Sequence, residues 1–324
     1  MTRGRGGKEE LAVPPADFRS YYGKQILKTP AWNWMIAAYL FLGGLSAGSA
    51  MLGAGADLTG RPRLRRVSRV GALASILGSL YFLIADLGRP ERFHHMLRVA
   101  KPSSPMSMGT WLLTAYGPGA GVAAAAELMP GRLRRGWLGR LMGWAARPAG
   151  LWAAATAPGV ASYTAVLLSQ TAVPAWREAH PYLPFVFTGS AAASGAGLGM
   201  LLAPVSESGP ARRMAVAGAA LEVAASRVLE QRLGLSAETY TKGKAHLLRQ
   251  WAEYLTVGGA VGAVIGRNRA VLAASGAALL AGSALQRFGV FEAGVASTRD
   301  PKYVVVPQRE RLNAESSPEA ARRH

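Results

Sequence analysis

Four stretches of this sequence carry no Asp, Glu, Lys or Arg: Met35–Ala56, Met106–Ala126, Ala149–Trp176 and Pro181–Ser206. At about 1.5 Å per residue, each is long enough as an α-helix to cross a hydrocarbon core of about 30 Å. A water-soluble core has no need of several such runs in one protein. The sequence therefore reads as all-α: a polytopic integral membrane helix bundle of about eight transmembrane helices. Composition agrees, because half the residues are hydrophobic and only 17% are charged, where a soluble domain carries about a quarter.

The formal charge of +19 does not point to nucleic acid, and no nucleic-acid partner is expected. The basic residues sit in short clusters between apolar runs, at Arg61–Arg69, Arg132–Arg140 and Arg212–Arg213. Loops that face anionic membrane lipid are built this way. The chain has no cysteine, so it holds no disulfide and no thiolate-ligated iron–sulfur cluster of its own.

Taken in order, residues 1–30 form a polar, basic arm without the apolar core of a cleavable signal peptide. Residues 31–289 form the membrane domain. Helices are expected near Trp32–Ala56, Ser68–Leu87, Met106–Met129, Pro148–Thr171, Tyr182–Ala203, Arg213–Leu233, His246–Gly266 and Ala270–Arg287. A basic loop, Arg132–Arg147, should precede the fourth helix, and Pro158-Gly159 could interrupt it. Residues 290–324 read as a polar tail with a disordered last dozen. Eight crossings put both termini on one side, with the loops Asp86–Met106, Arg177–Pro181 and Gly234–Lys244.

Two places concentrate polar chemistry. Asp86 ends the second apolar helix, followed by Arg89, Arg92 and Arg98 with His94 and His95 between them. A carboxylate there must be paired or wet. Either it is a helix-end ion pair with Arg89, or it belongs to a polar pocket at the membrane face. The second place is the sixth helix, where Glu222, Ser226 and Glu230 follow an i, i+4, i+8 line beside Arg227. Such a strip should face protein or water, and either an Arg227–Glu230 pair or a proton path through Glu222, Arg227 and Glu253 accounts for it. His246, Arg249, Gln250 and Glu253 share a face at the start of the seventh helix. The histidines (His94, His95, His180, His246 and His324) lie in loops or at helix ends, so no haem is expected.

Four stretches carry a resemblance. They are WNWMIAAYLFLGGLSAGS at 32–49, DLGRPERF at 86–93, SPMSMGTW at 104–111 and RFGVFEAGVASTRDPKYVVVPQ at 287–308. Together the sequence resembles the NrfD/PsrC family, the membrane subunits of respiratory molybdopterin oxidoreductases. The resemblance implies an eight-helix anchor that binds menaquinone or ubiquinone exchangeably in the plasma membrane of a bacterium. It implies two partners, a four-cluster-type iron–sulfur subunit and a molybdopterin catalytic subunit, with a leaning towards formate dehydrogenase chemistry. Carried over by position, Asn33 and Tyr163 match family elements, and Asp86 and Arg89 carry the strongest local motif. A histidine that some members place early in the first helix is absent, with Ala37 and Ala38 near that spot, and His94 or His95 is the substitute considered. The segment Phe291–Gln308 is expected to help dock the iron–sulfur partner. The alternatives are a proton- or ion-translocating subunit and a purely structural membrane anchor.

Overall fold

The computed structural model describes residues 25–315, which form helices and no strands among the described residues. The expected N-terminal arm lies largely outside them, as do residues 316–324. Eight long helices follow one another: α1 (Trp34–Leu58), α2 (Pro62–Ala85), α3 (Pro105–Leu128), α4 (Trp137–Ser169), α5 (Leu183–Leu202), α6 (Gly209–Arg232), α7 (Gly243–Ile265) and α8 (Arg269–Arg299). A ninth, α9 (Lys302–Glu315), closes the described segment. By length and composition five of them, α1, α2, α4, α5 and α8, are apolar enough to cross a membrane. Of the other three, α6 and α7 carry most of the ionisable residues of the second polar region.

The helix ends follow local chemistry. Asn33 caps α1, its side-chain oxygen accepting from the Met35 N–H at 2.7 Å. Asn268 caps α8 in the same way through Val271 N–H at 2.8 Å. Pro62 and Pro105 open α2 and α3, where a missing N–H costs nothing. The first amides of α2 find a distant acceptor, because Glu207 takes the N–H groups of Arg63 and Leu64 at 2.8 and 3.0 Å.

Packing divides the bundle into two rings of four. α1 packs on α2, α2 on α3, α3 on α4 and α4 back on α1; α5 to α8 close on one another in the same order. The rings are joined along α1 and α5. Between helices in lipid there is little hydrophobic drive, so close backbone approach and dispersion must hold them. Gly48 of α1 and Gly195 of α5 supply that approach. A Cβ at Gly48 would overlap the Ala191 carbonyl, and one at Gly195 would overlap the Gly48 backbone.

Three expectations are corrected here. The stretch Arg132–Arg147 is not a loop: α4 starts at Trp137 and passes unbroken through Pro148 and Pro158. The eighth helix does not end at Arg287 but runs to Arg299, past the expected start of the tail. Phe291 and Ala293 are buried within it, and the following segment is the helix α9.

The Gly48–Gly195 contact predicts an asymmetry between glycines at the seam and glycines away from it. Gly195→Val should lower the yield of folded protein and its Tm, overpacking costing about 1–3 kcal/mol or more. Gly55→Ala, which meets nothing within 4 Å, should be neutral or slightly stabilising. Equal Tm values for the two variants in a detergent melt would contradict the packing.

Candidate functional site

The mouth of the first ring is built around the start of α1. Trp32 stacks on Trp176 at 5.9 Å between ring centroids, and Trp176 donates its indole N–H to the Val290 carbonyl at 2.8 Å. Gly294 of α8 leaves the room that the Trp176 ring occupies. This aromatic anchor fixes the start of α1, where the backbone N–H of Asn33 acts on the Asp86 carboxyl at the end of α2. Burial pushes the Asp86 carboxyl up from the ordinary aspartate range, and the Asn33 N–H pulls it part of the way back.

Asp86 therefore has a different partner from the one expected. No ion pair joins it to Arg89 among the described residues, and Arg89 is exposed. The reason is local: helix α2 stops at Ala85, and Gly88 and Pro90 lead into a 3-10 segment, Pro90–Leu97. The i, i+3 geometry that would bring Arg89 onto Asp86 is lost. His94 is exposed on that segment, 4.4 Å from the His95 ring. Tyr163 is half-buried on α4 and lies against Gly109 of α3, where any side chain would overlap its ring. Ala37, near the position of the absent histidine, is fully buried.

One turn below Asp86 an apolar slot of about 220 Å³ opens between α2 and α3. Leu80, Leu83 and Ile84 form one wall, Leu113 the other, and Phe93, Met96 and Leu97 cover it from the 3-10 segment. The two hydroxyls in the wall are spent on their own helix, Thr110 on the Met106 carbonyl and Thr114 on the Thr110 carbonyl, both at 2.9 Å. The slot thus offers an apolar lining, and Asn33, Asp86 and Tyr163 are not among the residues that line it.

The second polar region lies in the other ring. Glu222, Ser226 and Glu230 of α6 face a cavity of about 280 Å³, with Arg227 beside them and His246, Arg249, Gln250 and Glu253 of α7 opposite. The expected Arg227–Glu230 pair is not formed. Arg227 instead pairs with Glu253 across to α7, and Glu230 takes Arg249 at 2.6 Å. An i, i+3 partner on the same helix is displaced by one that a neighbouring helix presents head-on.

Sequence reasoning missed Arg287. It is fully buried in the middle of α8, its Nη2 donating to the Phe187 carbonyl at 2.8 Å and its guanidinium 3.7 Å from the Phe187 ring centroid. Gly44 of α1 makes room, since a Cβ there would stand 3.0 Å from Nη2. Arg287 is the leading charge that compensates Glu222, which is 3% exposed and whose Oε2 has no hydrogen bond. The missed signal was the continuation of small residues (Gly289, Ala293, Gly294 and Ser297) beyond Arg287 at helical spacing.

These features define a class: an integral membrane helix bundle with an apolar slot and polar mouth in one ring and a buried ion-pair cavity in the other. The family is fixed by comparison. The family model "Polysulphide reductase, NrfD" matches residues 25–229, and the chain belongs to that family. The match spans α1 to α6 but not the motif at 287–308. The C chain of the polysulfide reductase of Wolinella succinogenes is 33% identical over 180 residues, covering 52% of this sequence and 56% of that protein. Protein NrfD of Escherichia coli is 40% identical over 95 residues, 26% of this sequence and 29% of its own length. The C subunit of the selenate reductase of Mesobacillus selenatarsenatis is 34% identical over 80 residues, 24% of this sequence and 19% of its own length. The matches thus span between about a fifth and just over half of these relatives. As a member of this family it is an integral membrane protein, with the bacterial plasma membrane as its expected location.

The buried pair makes a double-mutant test direct. Arg287→Met should lower the Tm, because Glu222, with no ion pair of its own among the described residues, loses the nearest compensating charge identified for it. Adding Glu222→Gln should restore a substantial part of the lost Tm. A double variant no more stable than the single one would show that the two groups are not coupled.

Proposed function

We propose that the protein is the quinone- and quinol-binding membrane subunit of a respiratory oxidoreductase complex. In this reading it exchanges electrons between an iron–sulfur partner and the membrane quinone pool. The observation that carries the reading is the apolar slot beneath the Asp86 mouth, bounded by α2, α3 and the 3-10 segment. A prenylated quinone has that same division, a greasy tail and ring with carbonyls at one end. When bound, it supplies the two-electron, two-proton chemistry that no side chain here provides.

The residues divide the remaining work. Leu80, Leu83, Ile84 and Leu113 exclude water from the slot. The Asn33 side-chain amide and the Tyr163 hydroxyl, which has no hydrogen bond among the described residues, are the donors available to a carbonyl oxygen. Asp86 accepts or returns a proton. Its raised affinity suits that role, since a carboxyl that releases its proton too readily is a poor base. Arg89 and His94 add cationic and proton-exchanging surface above the slot. The quinone is menaquinone or ubiquinone.

The partner assignment rests on the relatives, two of which are named as parts of a polysulfide and a selenate reductase. We assign this protein a four-cluster-type iron–sulfur subunit and a molybdopterin catalytic subunit. The leaning to formate oxidation rests only on a general similarity to family members rich in Ala, Gly and Arg. The exposed 3-10 segment, with α9 on the same end of the bundle, is the face offered to the iron–sulfur partner. A second reading, proton translocation through Glu222, Arg227 and Glu253, is favoured by the cavity these three residues line.

Asp86→Asn tests the first reading. Normalised to assembled complex, quinone-linked turnover should fall by about 10²-fold or more, while reduction of an artificial dye by the catalytic subunit persists. Quinol oxidation by the native protein needs Asp86 unprotonated, so its rate should fall as the pH drops through the raised pKa of that group. That limb should lie above the ordinary aspartate range of about 3.9 and should be absent from the variant. Full quinone activity in normally assembled Asp86→Asn would overturn the assignment.

A further inference from the structure

The end of the first ring opposite Asp86 holds a feature that quinone binding does not use. Asp57 at the end of α1 and Glu127 at the end of α3 share the guanidinium groups of Arg65 and Arg69 from α2. Arg65 reaches Glu127 at 2.6 Å and Asp57 at 3.0 Å, and Arg69 reaches Glu127 at 3.1 Å. Asp57 Oδ2 and Arg69 Nη2 stand 3.3 Å apart, yet neither completes a hydrogen bond, and Arg69 Nε has no partner either. Arg69 is 5% exposed. Gly150 of α4 is the reason it fits, because a Cβ there would lie 2.8 Å from Nη2.

Above this network lies a cavity of about 580 Å³ whose wall also includes Arg134 and Arg147. Four arginines thus meet two carboxylates around it, an excess of two positive charges. Arg147 is only loosely engaged, 3.7 Å from Asp57 Oδ2 with its side chain 65% exposed. The cover is the first three turns of α4. Gly139, Gly143 and Ala146, at i, i+4 and i+7, line the cavity together with Met142 and Arg147. On the other side Trp137, Leu141 and Trp144 repeat the same spacing, with Trp137 73% and Trp144 79% exposed.

A helix with a smooth basic-lined face and an aromatic outer face, at the end of a membrane bundle, lies at the headgroup boundary. We infer that the cavity between Asp57, Arg65, Arg69, Glu127 and Arg147 binds the phosphate of an anionic phospholipid headgroup, with Trp137 and Trp144 seated among the acyl chains. The net positive charge suits any anion, and two observations choose a lipid: the cover helix turns two tryptophans outward, and an apolar groove follows close by. That groove, about 510 Å³ between α2, α3 and α5, runs past Arg66, Val70, Leu128, Leu198 and Leu202. Arg66 and Leu128 adjoin Arg65 and Glu127 in sequence, so an acyl tail has an apolar path beside the charged cavity. This inference stands apart from the quinone reading.

The test uses the full-length protein, delipidated in a neutral detergent, melted after addition of phosphatidylglycerol, phosphatidylcholine or inorganic phosphate at matched ionic strength. Phosphatidylglycerol alone should raise the Tm by about 2–4 °C, the shift of a specific ligand on a protein of this size. Arg147→Gln, at an exposed position, should abolish that increment, measured against the variant's own phosphatidylcholine value. Gly143→Leu, which keeps every charge and fills open space above a glycine with nothing within 4 Å, should abolish it too. The inference is overturned if phosphatidylglycerol gives no increment, or if either variant keeps it. An equal increment from inorganic phosphate would make the site one for a free anion and overturn the lipid assignment.

Discussion

Helix α5 touches its neighbours backbone to backbone, and the bundle is arranged around those contacts. Gly195 meets Gly48 of α1, Gly189 meets Gly218 of α6, and Gly197 meets Gly276 of α8. In hydrocarbon, apolar side chains gain little by leaving lipid for protein, so close approach of small residues is what joins helices. Because α5 approaches α1 so closely, the two four-helix rings share a seam. That seam holds Arg287 between Gly44 of α1 and Phe187 of α5. A bulkier residue at Gly48 or Gly195 would force the two rings apart, and one at Gly189, Gly218, Gly197 or Gly276 would disturb the packing within the second ring.

The seam also sets where polar groups can stand. A buried charge in such a protein is tolerable only with a compensating partner, and each ring places its own set. In the first ring Asp57, Arg69 and Glu127 lie at one end, while Asn33 and Asp86 lie at the other. In the second, Glu222 and Arg287 are deep, and Glu230, Arg249, Arg227 and Glu253 lead outward along a cavity. The first ring has a mouth where Asp86, a carboxyl of raised proton affinity, ends α2 one turn from an apolar slot. The proposal that this mouth handles a quinol rests on that arrangement.

How far the sequence revealed this depends on the range of the interaction. The apolar runs, the small-residue faces and the charge at the end of α2 are local, and the helices and Asp86 follow from them. The partner of Asp86 is not local. Arg89 is near in sequence, but the backbone leaves the helix after Ala85, and the backbone of Asn33 arrives from the start of α1. Arg287 misled for the opposite reason. An arginine after an apolar run reads as a helix end unless the compensating groups, here on α5 and α6, are known. Arg132–Arg147 read as a loop because its charges are conspicuous, whereas Trp137, Leu141 and Trp144 mark an amphipathic helix by spacing alone.

The most direct measurement of the central claim is where a quinone lodges. The intact complex in its native membranes, or the full-length protein in nanodiscs, would be labelled with a photoreactive azidoquinone and the cross-linked peptides identified by mass spectrometry. Labels are expected on the peptides of α2 and the 3-10 segment, residues 80–97, and on the first turns of α3, suppressed by excess unlabelled quinone. Competable labelling confined to α6 and α7 around Glu222 and Glu253, with none beside Asp86, would contradict it.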